Sequence, residues 1–327
     1  MTRRLFEYHP VIGYRFIPNL KARVTHEAGG YLIRTNSQGF RCRHEFDQPL
    51  SDKKRVLLFG DSFTAGDGVS NPKRYGDLME ERLNLEVFNF GMSGSGTDQQ
   101  LIISHEFAAD LDASMTVIAV LVENIRRCAA RFRTYHDQDG REMCYAKPYY
   151  EIEQGELKLR GVPVEREPIP SKELAGDQRQ QVDRGGRFAG LRKFVNKAGL
   201  KEVVQKMTGY QPLPEYDDPE NEHWLLLKVI LKQFAATMPQ PVLVVPLPLY
   251  QYVEETSDPT SYQARFREFA DESGVEVHDP LPDLWKYSQE ERRFFRFKKD
   301  VHPTPAGHRA LSESIGNAIQ RRLQPAV

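Results

Sequence analysis

Five short apolar runs set the frame of this chain. Arg55–Phe59 (RVLLF), Leu85–Phe90 (LEVFNF), Met115–Val122 (MTVIAVLV), Pro241–Pro246 (PVLVVP) and Val275–His278 (VEVH) are rich in aliphatic and β-branched residues. Continuous apolar runs of this length predict strands buried on both faces. Between them the period changes. Tyr75, Leu78, Met79 and Leu83 fall on one helical stripe, as do Leu101, Ile102, Phe107, Ala108 and Leu111, and later Leu311, Ile315, Ile319 and Leu323. Thr97 with Gln100 suits a capping box at the second helix. Thr304 before Pro305 suits an N-cap and first helical residue at the last one. Strands alternating with helices predict a parallel sheet covered on both faces.

Two regions lie outside this rhythm. Residues 1–50 carry Pro10, Pro18, Gly29, Gly30 and Gly39 among short β-like pieces, and read as an extension packed on the main domain of residues 51–327, with no legible role. Residues 126–218 read as an insertion. Within it Tyr149–Leu159 predicts a hairpin turning near Gln154 and Gly155, Lys172–Arg187 is polar, and Phe188–Met207 has helical character. An insertion of this length after a central strand is expected to be a lid or recognition element, or else a structural decoration or oligomer contact.

Composition removes several function classes. With 327 residues, a net charge of -1 and 28% charged residues, the chain has no global basic field, so no nucleic-acid partner is expected. Cys42, Cys128 and Cys144 are far apart and show no Cys-x-x-Cys spacing, which argues against a disulfide framework or thiolate zinc site and for a reducing, cytoplasmic setting. No segment approaches 18 apolar residues, so neither a signal peptide nor a membrane span is expected. The glycines at 91, 94 and 96 do not follow the dinucleotide spacing, there is no phosphate loop, and no His or carboxylate set has metal-ligand spacing. No cofactor and no metal are expected.

The strand ends carry the chemistry. In an open parallel sheet, ligands bind along the carboxyl edge of the strands. Ser62 follows the first strand, Asn89, Gly91 and Gly94 the second, and Glu123 and Asn124 the third. Asp300 and His302 lie between the fifth strand and the last helix.

These blocks, FGDSFTAG at 59–66, NFGMSGSG at 89–96, VEN at 122–124 and DVHPTPAGH at 300–308, resemble those of the SGNH (GDSL-type) hydrolase superfamily. The resemblance spans the α/β framework but not the extension or the insertion. It implies a flavodoxin-like three-layer α/β/α fold with a five-stranded parallel sheet, and an ester hydrolase. By the same resemblance Ser62 is the nucleophile, His302 its general base and Asp300 the group that orients the imidazole. The oxyanion hole would comprise the N–H groups of Ser62 and Gly94 and the side-chain amide of Asn124.

Chemistry asks for the same residue types. A serine hydroxyl needs an imidazole to take its proton, the imidazole needs a carboxylate to fix its tautomer, and the tetrahedral intermediate needs preorganised donors. The sequence departs from the family pattern at two blocks. Val122 and Ile125 stand where the third block has glycine and aspartate, and the carboxylate precedes His302 by two positions rather than three, with Lys299 at the usual place. The two-residue spacing also resembles the branch containing alginate-type O-acetyltransferases.

The expected reaction is removal of a short acyl group, acetyl above all, from a small-molecule or carbohydrate ester. An O-acyltransferase using the same residues, and a non-catalytic binding module, are the alternatives. Ser62 read only locally would be a helix cap. Arg126 and Arg127 follow Asn124 and are candidates for contact with an anionic part of the substrate, or else solvate the start of the insertion. Arg292–Lys299 (RRFFRFKK) interleaves cations with aromatics, and reads chiefly as packed phenylalanines with solvated charges.

Overall fold

The computed structural model describes residues 5–48, 51–136, 141–175, 178–179, 181–183 and 210–323. Two antiparallel hairpins open the chain, β1 (Phe6–His9) with β2 (Gly13–Phe16) and β3 (Lys21–Val24) with β4 (Tyr31–Arg34). The α/β framework then runs β5 (Arg55–Phe59), α1 (Ser62–Ala65), α2 (Tyr75–Leu83), β6 (Glu86–Asn89), α3 (Thr97–Phe107), β7 (Met115–Leu121) and α4 (Asn124–Ala129). The insertion contributes β8 (Phe132–His136), β9 (Glu142–Ala146), β10 (Tyr149–Glu153), β11 (Glu156–Arg160), β12 (Ile169–Pro170) and β13 (Val182–Asp183). After it come α5 (Glu222–Thr237), β14 (Val242–Leu247), α6 (Thr260–Ser273), β15 (Glu276–Val277) and α7 (Pro305–Leu323).

The central sheet has the order β15-β14-β7-β5-β6, with every pairing parallel. Taken in order of appearance these strands lie 2-1-3-4-5, so the direction of winding reverses between β5 and β7, where an open α/β sheet leaves a crevice at its carboxyl edge. Every residue of β5 and β7 is buried, as expected for strands covered on both faces. Helix α2 packs with α7, and α5 with α3 and α4. The apolar stripe of α5, formed by Trp224, Leu227, Ile230, Leu231 and Phe234, is fully buried; side chains of this size contribute about 1.5–3 kcal/mol each.

The expected elements recur with shifted ends. The second, third and fifth strands are shorter than the apolar runs that announced them, ending at Asn89, Leu121 and Val277, and β14 lies one residue later than its run. Helix α3 begins at Thr97 itself, so the N-cap is Gly96, whose N–H is accepted by Gln99 Oε1 at 3.4 Å; the Thr97–Gln100 capping box is displaced by one residue. Thr304 does cap α7, with its Oγ1 accepting Gly307 N–H at 3.3 Å. The hairpin turns at Gln154 and Gly155, both with positive φ (53° and 84°), as a two-residue loop matched to strand twist requires. The helical stretch expected at 188–207, and the end of the polar segment before it, lie outside the described residues. Among the described residues no helix is long and apolar enough to cross a membrane.

The insertion is a second, smaller β-layer. Four of its described strands lie in the order β12-β9-β8-β13, and β10 pairs with β11 as a separate hairpin. Lys147 anchors it to the framework from a buried position: Nζ pairs with Asp98 on α3 and donates to the carbonyls of Arg127 (3.1 Å) and Ala130 (2.9 Å). The N-terminal segment is tied down in the same way. Arg41, fully buried, donates to the carbonyls of Gly66 and Val69 at 2.7 Å, and Tyr14 Oη donates to Ser93 O at 2.8 Å.

Candidate active site

Strand β5 delivers Ser62 through a turn that only small residues allow. At Gly60 a Cβ would lie 1.9 Å from Thr64 Oγ1 and 3.1 Å from Ala119 O. Asp61 caps α1, its Oδ1 accepting Phe63 N–H at 3.0 Å, and Gly66 closes the helix in the left-handed conformation (φ 79°). Ser62 thereby becomes the first residue of a one-turn helix at the β5 end of the crevice. Capping is the work of Asp61, so the reading of Ser62 as a mere cap does not hold.

Asp61 also meets Arg127. Its Oδ2 accepts from Arg127 Nη1 at 2.6 Å, and Arg127 Nη2 donates to Glu123 at 3.0 Å. Burial pushes the Asp61 carboxyl upward, opposed by the Arg127 charge and the Phe63 N–H. Arg127 is itself buried. Arg126 turns elsewhere, making a two-pronged contact with Glu215 at 2.5 and 2.9 Å and donating to Pro212 O at 2.9 Å. Carboxylates of this chain engage both arginines that were expected to face an anionic substrate: Arg127 braces the Ser62 turn, and Arg126 braces residues 212–215 beside α4.

The chain before α7 supplies Asp300 and His302. The imidazole Nδ1 and Asp300 Oδ1 are 2.5 Å apart, and the same oxygen accepts the His302 backbone N–H at 3.1 Å. A two-residue spacing suffices because Asp300 folds back over its own loop. The hydrogen bonds from His302 and His26, with the His302 charge, hold the Asp300 carboxyl far below the usual range despite burial. For His302, burial favours the neutral ring, but the Asp300 hydrogen bond and the charges of Asp67, Asp300 and Asp61 outweigh it, and the pKa is raised. The His302 ring packs 5.5 Å, centroid to centroid, from Phe63, the residue after Ser62. Among the described residues no hydrogen bond joins Ser62 to His302; the structure brings them to one edge through that ring contact.

Gly94 and Asn124 border the same edge. Gly94 has φ 84°, and a Cβ there would come within 2.9 Å of the Arg133 guanidinium carbon and 3.1 Å of Tyr135 Oη, both on β8. Asn124 is fully buried at the start of α4. Its Nδ2 lies 3.3 Å from Thr97 Oγ1, and its Oδ1 has no hydrogen-bond partner among the described residues. The backbone N–H groups of Ser62 and Gly94 are likewise not taken up by the described backbone or side chains.

An apolar cavity of about 40 Å³ opens beside Phe63, walled by Leu247, Val253, Leu284, Val301 and Pro303. The residues flanking His302 in sequence thus line it. The aromatic-cationic stretch adjoins this cavity, and it departs from the expected pattern of packed phenylalanines and solvated charges: Phe294 is 63% exposed, and Arg292 and Arg296 are paired, with Glu255 at 2.5 Å and Glu254 at 2.6 Å respectively. Phe297 is buried. His308 is a core residue: buried, with Nδ1 accepting Tyr75 N–H at 3.2 Å and its pKa pushed down to about 3 by burial and by Arg74. Among the described residues no cluster of His, Cys, Asp and Glu could hold a metal ion.

Sequence reasoning did not reach His26, Glu27 or Asp67. Asp67 follows α1 and accepts from Ser93 Oγ at 2.7 Å. His26 and Glu27, on the loop between β3 and β4, contact Asp300 directly. A short polar loop between two hairpin strands carries no sequence signal of such a contact.

No family model matches this sequence, and no curated protein matches it. Among solved structures many neighbours are described as GDSL-type or acylhydrolase proteins. The chain is similar to a member of the lipolytic G-D-S-L family from Veillonella parvula DSM 2008 (11% identity, 82% of this chain and 98% of that one, TM-score 0.43). It is also similar to the lipase/acylhydrolase from Enterococcus faecalis (15% identity, 84% and 99%, TM-score 0.43). A third is an alpha/beta hydrolase enzyme from the metagenome of Lake Arreo, Spain (13% identity, 83% and 97%, TM-score 0.44). These are likenesses of fold at low identity, and no residue roles come with them.

Proposed function

We propose that this protein is a serine esterase that removes a short acyl group, acetyl above all, from a carbohydrate or small-molecule ester through an acyl-serine intermediate. The observation that carries this reading is the 2.5 Å contact of His302 Nδ1 with Asp300, on the crevice edge that also presents Ser62.

With Nδ1 held by Asp300, Nε2 is the basic nitrogen and takes the proton as Ser62 Oγ attacks the ester carbonyl. The negative oxygen that forms is met by the N–H groups of Ser62 and Gly94 and by the Asn124 amide, donors worth about 3–4 kcal/mol each in comparable sites. Collapse of this intermediate expels the alcohol, which leaves with the proton from the imidazolium. Water, activated by the same imidazole, then attacks the acyl-serine, releasing the acid and restoring Ser62.

The apolar cavity beside Phe63, walled in part by Val301 and Pro303 on either side of His302, is an apolar recess close to the proposed base and would suit the alkyl part of an acyl group. A panel of p-nitrophenyl esters graded by chain length tests the proposal. Acetate and propionate should be cleaved with the highest kcat/KM, and octanoate poorly. No cleavage across the panel, or a preference rising with chain length, would contradict it. Adding an acceptor alcohol separates hydrolysis from acyl transfer: a hydrolase consumes the ester at the same rate without it.

A further inference from the structure

We propose that the loop between β3 and β4 is a working part of this site, and that His26 is a positioning residue that fixes the Asp300 carboxylate for His302. The inference rests on the esterase reading for its consequence and on geometry for its content.

Asp300 is held on two sides. Its Oδ1 faces His302, while Oδ2 lies 3.1 Å from His26 Nε2. The His26 tautomer follows from its other nitrogen. Nδ1 accepts the Ala28 N–H at 3.4 Å, so in the neutral ring Nε2 carries the hydrogen and donates it to Asp300. Glu27, next in sequence, accepts the backbone N–H groups of Lys299 and Asp300 on one oxygen, both at 2.9 Å. One hairpin loop thus holds both the backbone and the carboxylate of the Asp300 turn.

His26 is itself fixed. Its ring packs edge-on against Phe297 at 4.4 Å and against Tyr31 at 5.9 Å. Phe297 in turn lies so close to Gly68 that a Cβ there would meet its ring at 2.6 Å. Only 11% of the His26 side chain is exposed, against 31% for Asp300. A carboxylate this exposed, on an irregular loop, would rotate toward water if nothing held its second oxygen. The tautomer of His302 depends on that oxygen pair staying in place.

Two substitutions separate donation from packing. His26→Phe keeps a ring against Phe297 but removes the donor, whereas His26→Gln keeps an N–H donor. For His26→Phe kcat on p-nitrophenyl acetate should fall about tenfold with KM within about twofold, as expected when only the orientation of the base is affected. His26→Gln should recover most of this. In an Asp300→Asn background His26→Phe should cost nothing further, because the residue acts through Asp300. Wild-type kcat in His26→Phe, or an equal further loss in the Asp300→Asn background, would overturn the proposal.

A second readout stands apart from turnover. In Ser62→Ala protein the far-downfield proton resonance of His302 Nδ1–H should be present, should vanish through solvent exchange in Ser62→Ala/His26→Phe, and should persist in Ser62→Ala/His26→Gln. An unchanged resonance with His26→Phe would overturn the positioning role. If the wild-type protein cleaves no ester, the esterase reading fails, and this resonance still decides the role of His26.

Discussion

Two aspartates flank the site, and the structure treats them oppositely. Asp61, next to Ser62, is fully buried against Arg127, and burial pushes its carboxyl upward. Asp300, two residues before His302, is a third exposed and is held by two imidazoles, which keep its carboxyl far below the ordinary range. Identical side chains a few residues from the two reacting groups therefore have different tasks. Asp61 shapes the Ser62 turn, with a guanidinium offsetting its desolvation. Asp300 keeps a charge ready beside an imidazole that becomes cationic during the reaction. Sequence distance to a reactive residue does not separate the tasks; the partner of each carboxylate does.

The largest effects should come from the reacting pair itself. Ser62→Ala and His302→Ala should each remove at least about 10⁴ of kcat, with the double variant little worse than either, since such groups act as a unit. Additive losses in steady-state kinetics would break the assignment. Asp300→Asn should lower kcat about 10²–10⁴-fold, through the wrong imidazole tautomer, without changing the denaturation midpoint by more than a small amount.

Asp61→Asn should do the reverse, chiefly costing stability. It removes one of the two carboxylates that pair with the buried Arg127 and leaves Glu123 as the other, a loss of about 1.5–3 kcal/mol for a hydrogen bond to a charged group, which urea denaturation would read. If Asp61→Asn spared stability and abolished turnover, the contrast between the two aspartates would collapse.

A pH profile sharpens the comparison. A protonated His302 cannot accept the serine proton, so kcat/KM should fall toward acid, with its midpoint above that of an unperturbed imidazole because the His302 pKa is raised. In Asp300→Asn protein the residual activity should show this midpoint moved to lower pH, since the hydrogen bond and charge that raise it are gone. Smallest of all should be Arg126→Ala. It removes a partly exposed pair with Glu215, worth up to about 1 kcal/mol, and should alter KM for charged and neutral esters alike by less than about twofold.

Much of this was legible in the chain. Val56–Phe59 and Thr116–Leu121 read as buried strands because nothing polar enough to sit on a solvated face interrupts them, and Gln154–Gly155 and Thr304–Pro305 announced a turn and a helix start by backbone chemistry alone. The arginines after Asn124 were legible as cations but not as ion pairs, since Arg127 and Asp61 lie 66 positions apart. The contact of His26 with Asp300 spans 274 positions and joins a framework loop to an extension that shares none of its periodicity. Strands β8 and β9 were missed because FRTYH and EMCYA alternate weakly between apolar and polar residues. Local pattern sets the elements; contacts between distant polar loops are fixed only when the elements pack.

The central claim is that Ser62 is activated by His302 for covalent attack, and a fluorophosphonate tests it most directly. Mass spectrometry after peptide digestion should find one adduct, on Ser62, forming rapidly in the wild-type protein and not in His302→Ala. An adduct on a different serine, or labelling of Ser62 at equal rate in His302→Ala, would contradict the account.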